Sequence, residues 1–160
     1  MRPQFTWQLR SRTLELGPRT LIMGVLNVTP DSFSDGGRFF EPQAAIEHAL
    51  DLLDEGADIL DIGGESTRPG AAAVTGQPAV TAEEELRRVM PVIEELLRQR
   101  PQAVVSIDTY KARVARAAVE AGAEIANDVS GLNWDAEMAP TLAKLKCGVV
   151  LMHMRGRPAE

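Results

Sequence analysis

The polar positions that interrupt the aliphatic runs of this chain are Asn27, Asp61, Asp108, Asn127 with Asp128, and His153. Each closes a short run of Val, Ile, Leu, Ala or Met, so each reads as the polar end of a buried strand. Asp108 follows the dry run Val104-Val105-Ser106-Ile107. A carboxylate fixed there can accept two donors from the edge of a heterocycle, or it can cap the helix that begins near Thr109. Asn27 can offer its side-chain oxygen to a divalent cation, or cap its own loop. Thr67-Arg68-Pro69 lies in a loop with the pair Gly63-Gly64 and Gly70. It reads either as a plain turn or as a guanidinium fork placed to grip an oxyanion or phosphate. His153 and Met154 read as the finish of a buried strand, with a core or supporting role. Asn and Asp favour turns after strands, so any one of these positions has a bland reading; five strand ends in register make the stronger case.

The elements that must position these groups begin at Leu21-Ile22-Met23-Gly24-Val25-Leu26. This run is short and unalternated, as strands buried on both faces of a parallel sheet are. It empties into Asn27-Val28-Thr29-Pro30-Asp31-Ser32, where Pro and turn residues forbid continuation, and then into Gly36-Gly37. Ahead of it, Phe5 to Leu9 and Thr13 to Leu16 predict a small hairpin. After it, the spacing predicts a helix over about 42–55 with Ala45, Ile46, Ala49, Leu50 and Leu53 on one face, stopped by Gly56. A strand over 58–62 follows. Thr81-Ala82-Glu83-Glu84 is a capping box opening a helix whose apolar face is Leu86, Val89, Met90, Ile93 and Leu97, with a kink expected at Pro91. Strands over 103–107, 124–127 and 148–153 alternate with helices over about 111–121 and 135–146. Gly56-Ala57-Asp58-Ile59-Leu60-Asp61 is echoed by Gly122-Ala123-Glu124-Ile125-Ala126-Asn127. Repeated helix-then-strand units imply a parallel sheet, here of five strands after the hairpin. In an α/β protein the ligand lies outside the carboxyl ends of such strands, where the polar positions fall.

Composition bounds the reading. The chain has 160 residues, 44 % apolar and 25 % charged, enough for one sizeable core. A net charge of −6 argues against nucleic acid as the main partner. The single cysteine, Cys147, excludes an internal disulfide and reads as an apolar filler in a reducing, cytoplasmic setting. No apolar run approaches the roughly 18 residues of a membrane span, and the N-terminus lacks the pattern of a signal peptide.

At these residues the sequence resembles dihydropteroate synthase, a pterin-binding enzyme. The resemblance rests on two long motifs, Gly24-Val25-Leu26-Asn27-Val28-Thr29-Pro30-Asp31-Ser32-Phe33-Ser34-Asp35-Gly36-Gly37 and Gly56-Ala57-Asp58-Ile59-Leu60-Asp61-Ile62-Gly63-Gly64-Glu65-Ser66-Thr67-Arg68-Pro69-Gly70. Three shorter stretches agree: Ser106-Ile107-Asp108-Thr109, Ile125 to Gly131, and Leu151-Met152-His153-Met154. It implies an α/β fold, a (β/α)8 TIM barrel, of which this chain supplies an N-terminal hairpin (1–18) and about the first five βα units (19–160). It implies condensation of 6-hydroxymethyl-7,8-dihydropterin diphosphate with 4-aminobenzoate, by departure of diphosphate and then attack of the arylamine, with sulfonamides as competitors. The implied catalytic groups are Asp35, Arg68 and Asp108. The implied substrate contacts are Phe33 and Pro69 over the aminobenzoate ring, Thr67 and Arg68 at the diphosphate, and Asp108, Asn127 and Met152 around the pterin. Asn27 is implied as the Mg²⁺ ligand. Small-molecule substrates, no nucleic acid or membrane, and a homodimer complete the implication. A barrel of this kind typically takes about 250 residues, so the chain is expected to stop before the last strands. Two rivals follow: a non-catalytic paralogue, partner subunit or inactive fragment, and another pterin-binding barrel such as a methyltetrahydrofolate methyltransferase.

Overall fold

The computed structural model describes residues 3–29, 42–65 and 80–153. Two strands, β1 (Phe5–Gln8) and β2 (Thr13–Leu16), pair antiparallel as the expected hairpin. Five more strands form one parallel sheet in chain order: β3 (Met23–Asn27), β4 (Ile59–Gly63), β5 (Val105–Asp108), β6 (Ile125–Asp128) and β7 (Gly148–Leu151). The helices α1 (Pro42–Asp54), α2 (Ala82–Gln99), α3 (Ala112–Glu120) and α4 (Met138–Leu145) lie between them in sequence.

Alternation along the strands sorts the side chains onto two faces. Leu26, Leu60, Ile62, Val105, Ile107 and Ala126 face the helices and form the main core with Ile46, Val89, Ile93, Val114 and Met138. Each fully buried aliphatic side chain of this kind contributes about 1.5–3 kcal/mol. The opposite face is layered. At its lower end Met23, Ile59, Val104 and Ile125 pack under Leu9, Trp7 and Leu14 of the hairpin, forming a second apolar cluster that Val150 borders. Gly148 permits this approach, because a Cβ there would lie 2.6 Å from a Leu9 methyl. Glu124, almost fully buried, holds the hairpin down by accepting from the Ser11 backbone N–H at 2.9 Å and pairing with Arg12 at 3.3 Å. Two residues further along the same face come Asp61, Ser106 and Asn127, and then Gly63 and Asp108. The hairpin thus closes one end of this face, and the polar groups occupy the other.

Several boundaries differ from expectation for physical reasons. β3 begins at Met23 rather than near residue 20, and Val25 is 57 % exposed. It stands at the sheet edge, and Val25 lies on the face without helices, so this strand is not buried on both sides. β4, β5 and β6 run one residue further than expected, to Gly63, Asp108 and Asp128. α2 is one continuous helix through Pro91, which lies on its exposed side. Thr81 caps it by accepting from the Glu84 N–H, while the Glu84 carboxylate turns to Arg88 and Arg87. Its buried stripe is Glu85, Val89, Val92, Ile93 and Leu96, rotated from the expected one so that Leu86, Met90 and Leu97 are only partly covered. α4 begins at Met138, after a turn in which Asp135 Oδ1 accepts from the Glu137 N–H at 2.9 Å, while Asp135 Oδ2 reaches across to accept from the Ala112 N–H at the start of α3. β7 ends at Leu151, leaving Met152 and His153 exposed beyond it. The helix stops at Gly56 and Gly122 are as expected, each at a positive φ, 107° and 119°.

Candidate active site

The carboxyl ends of β3 to β6 bring together Asn27, Gly63, Asp108 and Asn127, which are successive partners in the sheet register. One step deeper on the same face, Asp61 accepts from the Ser106 hydroxyl at 2.6 Å through Oδ1 and from the Asn127 amide at 2.8 Å through Oδ2. Burial pushes the Asp61 carboxyl above its ordinary range, and these two donors pull it back.

Asp108 is the unusual group. Its Oδ1 is buried and has no hydrogen-bond partner among the described residues. Burial, then the negative charges of Asp61, Glu85, Asp128 and Glu65, push its pKa up to about 7. The capping reading fails: α3 starts at Ala112 with Lys111 at the N-cap position, the Ala112 N–H donates to Asp135 Oδ2 at 2.8 Å, and Thr109 accepts from the Lys111 N–H at 3.2 Å. A buried carboxylate atom left without a donor is costly unless a ligand supplies one. Gly63 lies directly against it, since a Cβ at Gly63 would sit 3.3 Å from Asp108 Oδ2.

Beside this group lies a second buried cluster that the sequence reading did not single out. Lys111 bridges the carboxylates of Glu65 and Glu85. Tyr110 donates to Glu65 Oε2 at 2.9 Å, and the Val80 N–H donates to Glu65 Oε1 at 3.2 Å. Arg88 donates to the Gly64 carbonyl at 2.8 Å. Burial, then its bond to Glu65, pushes the Tyr110 hydroxyl up to about 12, and the Lys111 ammonium lies 4.2 Å above the Tyr110 ring. Burial also raises Glu85, with Lys111 opposing it. For Lys111 itself, burial is outweighed by the two carboxylates and its pKa is raised. The sequence signal for Glu85 was its place in the stripe of Val89, Val92 and Leu96. The signal for Ser106 was a hydroxyl inside an aliphatic strand.

The remaining expected positions separate. Asp128 is satisfied as a turn residue, accepting from Ser130 N–H at 2.7 Å and Leu132 N–H at 3.0 Å. Met152 is exposed next to that turn, its N–H donating to the Asp128 carbonyl at 3.1 Å. His153 is exposed rather than the finish of a buried strand. Phe33, Asp35, Thr67, Arg68, Pro69 and Met154 lie outside the described residues. No helix among the described residues is long and apolar enough to cross a membrane.

A family model described as pterin binding enzyme matches residues 23–160. The dihydropteroate synthase of Clostridium beijerinckii is 47 % identical over 148 residues, covering 92 % of this chain and 52 % of that protein. A Xanthomonas albilineans dihydropteroate synthase solved with 4-aminobenzoic acid superposes with a TM-score of 0.82 at 51 % identity, over 98 % of this chain and 53 % of its own. The same enzyme in complex with 7,8-dihydropteroate gives a TM-score of 0.78 at 46 % identity, over 94 % and 52 %. The chain spans about half the length of the curated relatives it matches. The parallel sheet, with helices on one face and a hairpin at one end, is a portion of the TIM barrel of these enzymes. The chain belongs to the pterin binding enzyme family.

Proposed function

We propose that this chain carries the pterin side of a dihydropteroate synthase site. In this reading the protein joins 6-hydroxymethyl-7,8-dihydropterin diphosphate to 4-aminobenzoate. The observation that carries it is the buried Oδ1 of Asp108, without a partner among the described residues, beside Asn127 at the strand ends. A pterin presents an amino group next to a ring N–H, a pair of donors that one carboxylate accepts together. The complex of the Xanthomonas relative with 7,8-dihydropteroate supports this class of ligand.

The chemistry asks little of proton transfer. Departure of diphosphate breaks the C–O bond and leaves a cation delocalised into the pterin; the weakly nucleophilic arylamine then attacks the exocyclic carbon and gives up one N–H proton to the departing diphosphate or to water. Asp108 and Asn127 hold the ring so that this carbon faces the amine, and a negative Asp108 favours the positive charge that develops. By the family resemblance Thr67 and Arg68 would serve the diphosphate, Phe33 and Pro69 the aminobenzoate ring, and Asp35 would be a further catalytic group. The donor set at this mouth suits Mg²⁺. Asn27 offers one hard oxygen at the mouth, and no group of three His, Cys, Asp or Glu forms a metal cage among the described residues. That is how Mg²⁺ is usually held, by one or two protein oxygens with phosphates and water. When bound, the ion neutralises charge on the diphosphate and improves it as a leaving group.

The test is diphosphate release by the full-length protein with both substrates present. Release that requires 4-aminobenzoate and is inhibited by a sulfonamide is the expected result. Methyl transfer from methyltetrahydrofolate, with no diphosphate chemistry, would replace this reading by the rival barrel.

A further inference from the structure

The helix-free face holds one acid, Asp61 on β4, whose two oxygens are both taken by side chains from the next two strands of the sheet. Asp61 Oδ1 accepts from Ser106 on β5, and Asp61 Oδ2 accepts from Asn127 Nδ2 on β6. Asp61 accepts at both of its oxygens in this arrangement. The Asn127 amide is therefore held with its nitrogen toward Asp61, and its oxygen is left as an acceptor with no hydrogen bond among the described residues. Asn127 is the register partner of Asp108. Two acceptors thus stand side by side, one a carboxylate and one an amide oxygen. A reduced pterin carries more N–H donors than Asp108 alone can take.

We infer that Asp61 is a positioning residue, which by holding the Asn127 amide nitrogen and the Ser106 hydroxyl presents the Asn127 oxygen as a second acceptor beside Asp108 for a donor-rich heterocycle edge. The inference rests on the dihydropterin reading of this site. Asp61 is 4 % exposed and stands one layer below the strand ends, so it acts through Asn127 and not on the ligand directly. Its charge is also the strongest of the like charges that act on Asp108. The other acids that act on Asp108 are Glu65 just past β4, Glu85 on α2 and Asp128 on β6, with Lys111 engaged by Glu65 and Glu85.

Asp61→Asn in the full chain separates these roles from a merely structural one. The neutral amide can meet Asn127 with either a donor or an acceptor, so the sense of the Asn127 amide is no longer fixed. Calorimetric titration with 6-hydroxymethyl-7,8-dihydropterin should show an affinity about tenfold lower, as expected for one misdirected buried hydrogen bond. The pH midpoint of the residual binding should move down, because a like charge has left Asp108. Unchanged affinity overturns the inference. So does a loss of affinity with an unmoved midpoint, which is what general disruption would give. Should the variant not fold, Ser106→Ala decides: it keeps the Asp61 charge, so about threefold weaker binding with the midpoint retained is expected, and no change overturns the inference. Absence of binding by the unsubstituted protein overturns the dihydropterin reading itself, and the inference with it.

Discussion

Two buried acidic groups sit within a few residues of each other, and they are finished differently. In the group of Glu65, Glu85, Lys111 and Tyr110, each acid oxygen that bonds has a donor, and a lysine supplies the countercharge. In the group of Asp61, Asp108, Ser106 and Asn127 there is no cation, and one Asp108 oxygen has no donor among the described residues. The first group ties Glu65 and Val80, which flank the segment 66–79, to α2 and to the turn after β5. Its logic is structural. The second carries a cost that folding alone does not offset, and such a cost is retained where a ligand completes the set. Burial and charge alone do not distinguish a site from a clamp; an unmet hydrogen-bonding demand does.

Substitutions should separate the two groups. The largest effect is expected for Lys111→Met, which leaves two carboxylates buried without a cation. Breaking such an arrangement costs about 3–5 kcal/mol of stability, to be read in urea melts. A loss under about 1 kcal/mol would show the clamp to be incidental. Asp108→Asn should behave oppositely. It should fold at least as well as the unsubstituted chain, yet bind dihydropterin on the order of 100-fold more weakly, through the loss of two charge-assisted hydrogen bonds.

The pH dependence of stability gives a third contrast. Asp108 titrates near 7 when folded and near the ordinary carboxylate value when unfolded. Between those values the native state binds more protons than the unfolded state, so this group makes stability fall as pH rises from about 4 to about 7. Asp108→Asn should remove that fall. Identical stability profiles for the two proteins would contradict the raised value. The smallest effect belongs to Gly63→Ala. Its Cβ would meet Asp108 Oδ2 at 3.3 Å, so a mild overpacking of about 1 kcal/mol should appear as weaker dihydropterin binding. Unaltered affinity would mean that Asp108 yields freely.

Much of this arrangement was legible in the residues. The helix-then-strand repeat placed all five parallel strands, and the polar strand ends marked the mouth, because hydrophobic periodicity and turn chemistry are local signals. Asp108 was singled out from its dry strand, and its site reading against its capping reading turned on the start of α3, whose first N–H, of Ala112, donates to Asp135, 27 positions from Asp108 in sequence. That choice is tertiary and left no local trace. The clamp was missed for the same reason: Glu65, Glu85 and Lys111 come from three separate elements, and an acid within an amphipathic helix reads as solvated until the helix is docked. The rotation of the α2 stripe toward Glu85 is the visible consequence. Asp61 was seen only as a strand end, since its partners lie on two other strands.

The central claim is that Asp108 Oδ1 takes its donor from a ligand, since none of the described residues supplies one. It is tested most directly by titrating the full chain with 6-hydroxymethyl-7,8-dihydropterin near pH 7 in buffers of different ionisation enthalpy. If the ligand requires the carboxylate, binding draws Asp108 from a pKa of about 7 to below it, and about half a proton should be released to the buffer. That release should vanish in Asp108→Asn along with most of the affinity. Binding with no proton release, and equally tight to Asp108→Asn, would contradict the account.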